Sequence, residues 1–219
     1  MSDWLVWQLA DSAFPTGGFA HSGGLEAAWQ HGEIRGRADL HQFVVASLSQ
    51  LGHALLPLVA AAHCEPQRLP ELDRLCDTLT SNHVANRASR LQGQALLASA
   101  ERIFALPELR RLREPGQQPP CGHFAPVFGM VMGVLGLDQQ ATARLLFFQH
   151  LRGLVAGAVR LGIIGPMEGQ ALQHRLGPQA QAMLERCEPL SVEDIAQTAP
   201  LLDVWQGTQD RLYSRLFQS

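Results

Sequence analysis

The sequence predicts an all-α protein, and three observations carry that expectation. No segment sustains the period-two alternation of β-branched residues that marks a half-buried strand. Several segments instead repeat apolar residues at three- and four-residue steps, as a helix with one buried face does. Helix start and stop signals, among them Asp138 and the pair Gly165-Pro166, bracket those segments. With 219 residues the chain is long enough to bury a sizeable core. It is read as a single compact helical domain, residues 1–219, of about ten helices.

In chain order, Trp4 to Ala10 begins as a short helix that ends near Phe14, because Pro15 pushes the preceding residue out of the helical region. The stretch D-S-A-F-P-T-G-G-F-A-H-S-G-G-L-E, from Asp11 to Glu26, is the most unusual in the chain. Glycine at such density is tolerated where the backbone needs positive φ or a close approach, and a solvent loop has no need of Phe14, Phe19 and Leu25. A compact apolar turn joining two helices is expected, with Gly17-Gly18 at the bend and Ser22 as a cap. Ser22 and Glu26 are four apart, one step too far for a capping box. Helix resumes from Gly24 to His31.

After a turn at Gly32 to Gly36, Asp39 is an N-cap for a helix to about His63, with Phe43, Leu48, Leu51, Leu55 and Leu58 as its buried stripe and Pro57 expected to kink or end it. Pro70 to Thr80 is a short helix. Asn82 to Phe104 is a long one with Val84, Ala88, Leu91, Ala95 and Ala98 on one face. Leu106 to Pro120, polar and proline-rich with Arg110, Arg111 and Arg113 clustered, reads as a mobile surface loop.

Pro126 suits a first helical turn, and the segment to Leu137 continues as an apolar helix with Gly129, Gly133 and Gly136 spaced for tight contact. The helix that Asp138 caps, through Ile163, is expected to be the most hydrophobic and the central one. Gln149, Arg152, Ala156 and Arg160 nevertheless draw a polar stripe along it, whose arginines must reach solvent or pair with carboxylates. Helices from Glu168 to about Glu185 and from Ala199 to Leu216 complete the chain, with Ser191 and Asp194 as a capping-box variant between them.

Composition excludes several functions. All seventeen basic residues are arginine, so a Walker A loop and a Schiff-base enzyme, each of which needs a lysine, are excluded. A formal charge of −3 without a basic run argues against nucleic-acid binding. Charged residues at 17% fall below the roughly 25% of an average soluble protein, which points to surface covered in an oligomer or complex. Cys64, Cys76, Cys121 and Cys187 form no C-x-x-C pair and read as reduced thiols. The N-terminus lacks a secretory pattern. The longest uninterrupted apolar stretch, Pro126 to Leu137, is well short of the roughly 20 residues that span a bilayer. A cytoplasmic protein away from membranes is expected.

Three constellations carry candidate chemistry. Asp11, His21 and Ser22 are the residue types of a hydrolytic triad, but no G-x-S-x-G elbow is present and adjacent His and Ser side chains meet poorly. The paired glycines alone are a weak phosphate signal. Cys121-Gly122-His123 invites a metal reading, although none of the first five histidines forms an i, i+4 pair with another. His123 suits capping of the turn or recognition at a surface. At the chain's end, the apolar Tyr213, Leu216 and Phe217 around Arg215 must dock on their own fold or on a partner.

The stretch Asp11 to Glu26, with Gly122-His123-Phe124-Ala125-Pro126 and Tyr213-Ser214-Arg215-Leu216-Phe217 following in order, resembles the urease accessory protein UreF family over the whole chain. The resemblance implies a homodimeric, non-enzymatic adaptor that binds UreD/UreH and recruits the GTPase UreG to the urease apoprotein for GTP-dependent nickel insertion. Nickel and GTP would be handled by the assembled complex, with no cofactor or metal bound directly by this chain. Arg215 would match the family's terminal arginine in complex formation, with Tyr213, Phe217, His123 and Pro126 as further partner-binding residues. Asp11, Phe14, Pro15, Gly17, Gly18, His21, Gly23, Gly24 and Glu26 match the family's signature. The rival readings are an α-helical hydrolase using Ser22 and His21, and a helical metal- or small-ligand-binding protein using Cys121 and His123.

Overall fold

A computed structural model describes residues 3–114 and 119–219. Ten α-helices and no strand occur among them. They are α1 (Asp3–Ala10), α2 (Leu25–Gln30), α3 (Arg37–Cys64), α4 (Leu69–Leu79), α5 (His83–Phe104), α6 (Pro107–Arg111), α7 (Phe124–Val134), α8 (Gln139–Arg160), α9 (Pro166–Cys187) and α10 (Pro200–Gly207).

The core is built around α7. Its apolar residues are buried almost all round, because it lies against α3 and α5 with α4 beside it. Two glycines permit that approach. A Cβ at Gly129 would lie 2.1 Å from the Val59 carbonyl oxygen of α3, and one at Gly93 of α5 would lie 2.2 Å from the Gly122 oxygen. Buried residues of every long helix join the same hydrophobic cluster.

α3 runs through Pro57 without ending there. Proline offers no N–H to the carbonyl four residues earlier, that of His53, and the helix opens into a π-turn at Leu51–Leu55. The freed His53 oxygen accepts the Ala196 N–H at 3.2 Å. Its N-cap is Gly36; Asp39 lies inside the first turn and accepts the Arg35 N–H. By length and composition α3 could cross a membrane, with a mean hydropathy of 1.6, which the count of uninterrupted apolar residues missed because Gln, Ser and His punctuate it. Burial of 56% of that window marks it as a core helix.

Asn82 caps α5 by accepting the N–H groups of Val84 and Ala85, and Asp138 caps α8 by accepting that of Ala141. On α5 the buried face runs through Val84, Ala88, Gly93, Leu96, Leu97 and Ala100, so Leu91, at 48% exposure, faces solvent rather than a neighbour. α8 is neither the most apolar helix nor the most enclosed, a position that α7 holds. Of the expected mobile loop, Pro107–Arg111 is helical with Leu109 buried, and residues 115–118 lie outside the described residues. The last helix stops at Gly207; after a 3₁₀ turn at Gln209–Arg211, residues 212–219 are irregular.

Candidate functional site

The glycine-rich turn folds as a short loop closed by a 3₁₀ turn at Gly18–Ala20. Gly17, Gly23 and Gly24 have φ of 74°, 62° and 87°, the left-handed region that side chains other than glycine rarely adopt. Gly24 also lets α10 approach, since a Cβ there would lie 3.3 Å from the Leu202 oxygen. Phe14 stacks on Phe104, and the Pro15 oxygen accepts the Ser99 hydroxyl at 2.8 Å.

The polar stripe of α8 holds this segment by its backbone. Gln149 donates to Leu9 O at 2.7 Å, Arg152 donates to Ala10 O, and Arg160 donates to Phe19 O at 2.6 Å. The Arg160 guanidinium lies 3.7 Å from the Phe19 ring centroid and 4.3 Å from that of Phe217, two cation–π contacts on one cation. These arginines therefore have main-chain carbonyls as partners, a third outcome beside solvent and carboxylate.

Residues 212–219 close over the turn. Glu26, 1% exposed, accepts the N–H of Leu216 at 2.6 Å, that of Phe217 at 3.0 Å and the Gln209 side-chain amide at 2.7 Å. Gln218 N–H donates to Ala20 O at 2.8 Å, and the Ser22 hydroxyl donates to Ser219 O at 3.0 Å. Phe217, 5% exposed, fills the gap between α2 and α8. Tyr213 and Leu216 point outward, Tyr213 at 105% exposure. Arg215 and Arg87 share Asp210, holding that carboxyl below its ordinary range, with the Arg87 bond the larger cause.

Asp11, His21 and Ser22 do not assemble. Asp11 accepts the nearby Ala13 N–H, and His21 Nδ1 lies 2.6 Å from Ser219 Oγ rather than from Ser22. Burial lowers the His21 pKa, with Arg87 adding to the effect. Ser22 has no base, so the hydrolase reading lacks its geometry.

A second polar centre lies at the start of α7. Asp73 of α4, fully buried, accepts the N–H groups of Cys121 at 2.6 Å, Gly122 at 3.0 Å and His123 at 2.7 Å. His123, at 0% exposure, places Nδ1 3.1 Å from Ser89 Oγ and Nε2 3.1 Å from Asp77 Oδ1. Bonds from Asn86 first, then His123, hold the Asp77 carboxyl below its ordinary range. Burial first, then Asp73 and Asp77, pushes the Cys121 thiol up. Both His123 and Pro126 are buried, which corrects the surface role expected for them: His123 organises the turn into α7. Phe217 is corrected on the same ground, because its ring is packed against its own fold.

Asp73, Asp77 and Ser89 escaped the sequence reading. The available signal was Asp73 and Asp77 one helical turn apart. A cavity of about 800 Å³ separates the glycine-rich turn from the helices behind it, with Ser47, Gln92, His150, Arg152 and Gln206 in its wall.

This geometry defines an all-helical protein whose glycine-rich turn is latched by its own tail and in which Asp11, His21 and Ser22 form no triad. The UreF family model matches residues 34–177. The urease accessory protein F of Oryza sativa subsp. indica is 40% identical over 219 residues, covering 98% of this chain and 84% of that protein. That of Arabidopsis thaliana is 39% identical over 221 residues, covering 99% and 92%. The urease accessory protein UreF of Mycobacterium tuberculosis is 32% identical over 215 residues, covering 96% of each. The chain belongs to the UreF family of urease accessory proteins. The family model begins after the glycine-rich turn and ends before the tail, so those two motifs and the model are separate grounds for membership.

Proposed function

We propose that this protein is a non-enzymatic adaptor of urease maturation. As a homodimer it joins UreD/UreH and recruits the GTPase UreG to apo-urease, where nickel is inserted at the expense of GTP. GTP binds the partner, in keeping with the absence of lysine here, and nickel is cargo of the assembled complex. The observation that carries this reading is the latched tail: its buried half fixes residues 212–219 on the turn, so Tyr213, Arg215 and Leu216 form a rigid, partly apolar rim facing solvent. An aromatic anchor with an arginine beside it, held in place before binding, is the composition of an interface hot spot.

Tyr213→Ala is expected to leave circular dichroism and the melting temperature unchanged, because its ring touches nothing buried. It should weaken capture of UreD/UreH and UreG more than tenfold, equivalent to about 2 kcal/mol of binding. A variant that recruits both partners with native affinity would move the adaptor surface elsewhere.

A further inference from the structure

We propose that Asp77, Cys121 and His123 form a site for one divalent cation of the zinc class, held at the junction of α4, α5 and α7. Their ligand atoms, a carboxylate oxygen, a thiol sulfur and an imidazole nitrogen, all lie within 4.8 Å of one another. The His123 Nε2 to Asp77 Oδ1 distance of 3.1 Å is close to the roughly 3.3 Å between two ligands that share a tetrahedral ion at zinc distances. One nitrogen, one sulfur and one oxygen are the donor types zinc takes. The Asp77 side chain is 43% exposed, leaving a fourth position open to water.

The surroundings fit the tautomer a cation requires. Without a cation, His123 donates to Asp77 through Nε2; with the ring proton moved to Nδ1 it donates to Ser89 Oγ, which accepts the Phe124 N–H through its other lone pair, and the Nε2 lone pair is then free for the cation beside Asp77 and Cys121. Ser89 is thus the orienting partner that metal-bound histidines have. Asp73 fixes the loop by taking three successive N–H groups from residues 121–123, so the sulfur and the imidazole are carried on a backbone already locked in place. Cation binding would replace the thiol proton, which leaves to solvent, with a metal–sulfur bond. The local field suits a cation, since Asp73 and Asp77 are both near the sulfur.

A resident cation departs from the expectation of no directly bound metal and does not depend on the adaptor role. The cation would tie α4 to the loop of residues 121–123 that enters α7, whether or not the chain recruits partners.

The test is titration of untagged, metal-stripped protein with Co(II), followed by competition with Zn(II). One equivalent should bind with intense visible bands of tetrahedral Co(II) and a near-ultraviolet thiolate-to-metal band, and Zn(II) should displace both. Cys121→Ser should abolish the near-ultraviolet band, and Asp77→Asn, on a half-exposed side chain, should weaken binding at least tenfold while circular dichroism stays native. Absence of stoichiometric Co(II) binding, or thiolate bands that persist in Cys121→Ser, would overturn the proposal. So would Asp77→Asn binding with unchanged affinity.

Discussion

A carboxylate removed from water must regain its hydrogen bonds from the protein, and Glu26 does so with two backbone N–H groups and the Gln209 amide, with the Gln30 amide at 3.5 Å beside them. The first three donors belong to residues 209–217, far along the chain, so one side chain ties the glycine-rich turn to the tail. Glu26→Ala is expected to cost on the order of 3 kcal/mol, because it strands several buried donors at about 1–3 kcal/mol each. Urea unfolding of the variant and the parent measures the difference; a loss below about 0.5 kcal/mol would mean the tail is not held by Glu26. Sequence reading singled out Glu26 but assigned it to a near-miss capping box. Spacing along a chain shows local partners only: Ser22 Oγ does accept the Glu26 N–H, at 3.4 Å, but the carboxylate's shorter bonds come from about 190 residues away.

At the scale of elements, the helices were legible because their caps and apolar spacing are local. Asn82, Asp138 and Gly165-Pro166 mark the observed boundaries of α5, α8 and α9 within one or two residues. The failures were of tertiary origin. Pro57 reads as a breaker, yet its orphaned carbonyl finds the Ala196 N–H from a distant loop. The arginines of α8 seemed to need solvent or carboxylates, while the structure gives Arg152 and Arg160 the carbonyls of the N-terminal segment. Close helix contact holds for Gly129 and Gly133, whereas Gly136 lies past the end of α7 at φ 78° with no atom within 4 Å of an added carbon, so the glycines sort by role. Gly129→Ala would drive a methyl into the Val59 carbonyl and should destabilise by about 3 kcal/mol or more, since α3 and α7 must part. Gly153→Ala, inside α8 with no atom within 4 Å of the added carbon, should stabilise by up to about 1 kcal/mol through helix propensity. Thermal melts of the pair decide between them, and equal effects would show that the close approach is not what fixes the helix spacing.

Across the whole molecule, the cavity behind the glycine-rich turn has an ionisable group, His150, partly buried in its wall. His150 faces it, with Nε2 2.7 Å from Ser47 Oγ, and burial pushes its pKa down to about 4 from the ordinary 6.5. Between those values the unfolded chain binds a proton that the native protein does not, so stability rises with pH across this window. The contribution is fully present above about 6.5 and is lost as pH falls toward 4, by less than the full shift implies because the ring is partly exposed and faces a cavity wide enough for water. His21, also lowered by burial, acts in the same direction, whereas Asp203, raised by burial, acts oppositely near the ordinary carboxylate range. The lowered carboxyls Asp77 and Asp210 titrate below their ordinary value of 3.8 and lie outside the window. Urea midpoints at pH 7 and pH 5 should therefore differ clearly in the parent, and His150→Gln, which keeps a polar partner for Ser47 but cannot take up the proton, should flatten the difference. Equal pH slopes in the two proteins would show that water in the cavity solvates the charged ring and that burial of His150 does not set the pH dependence.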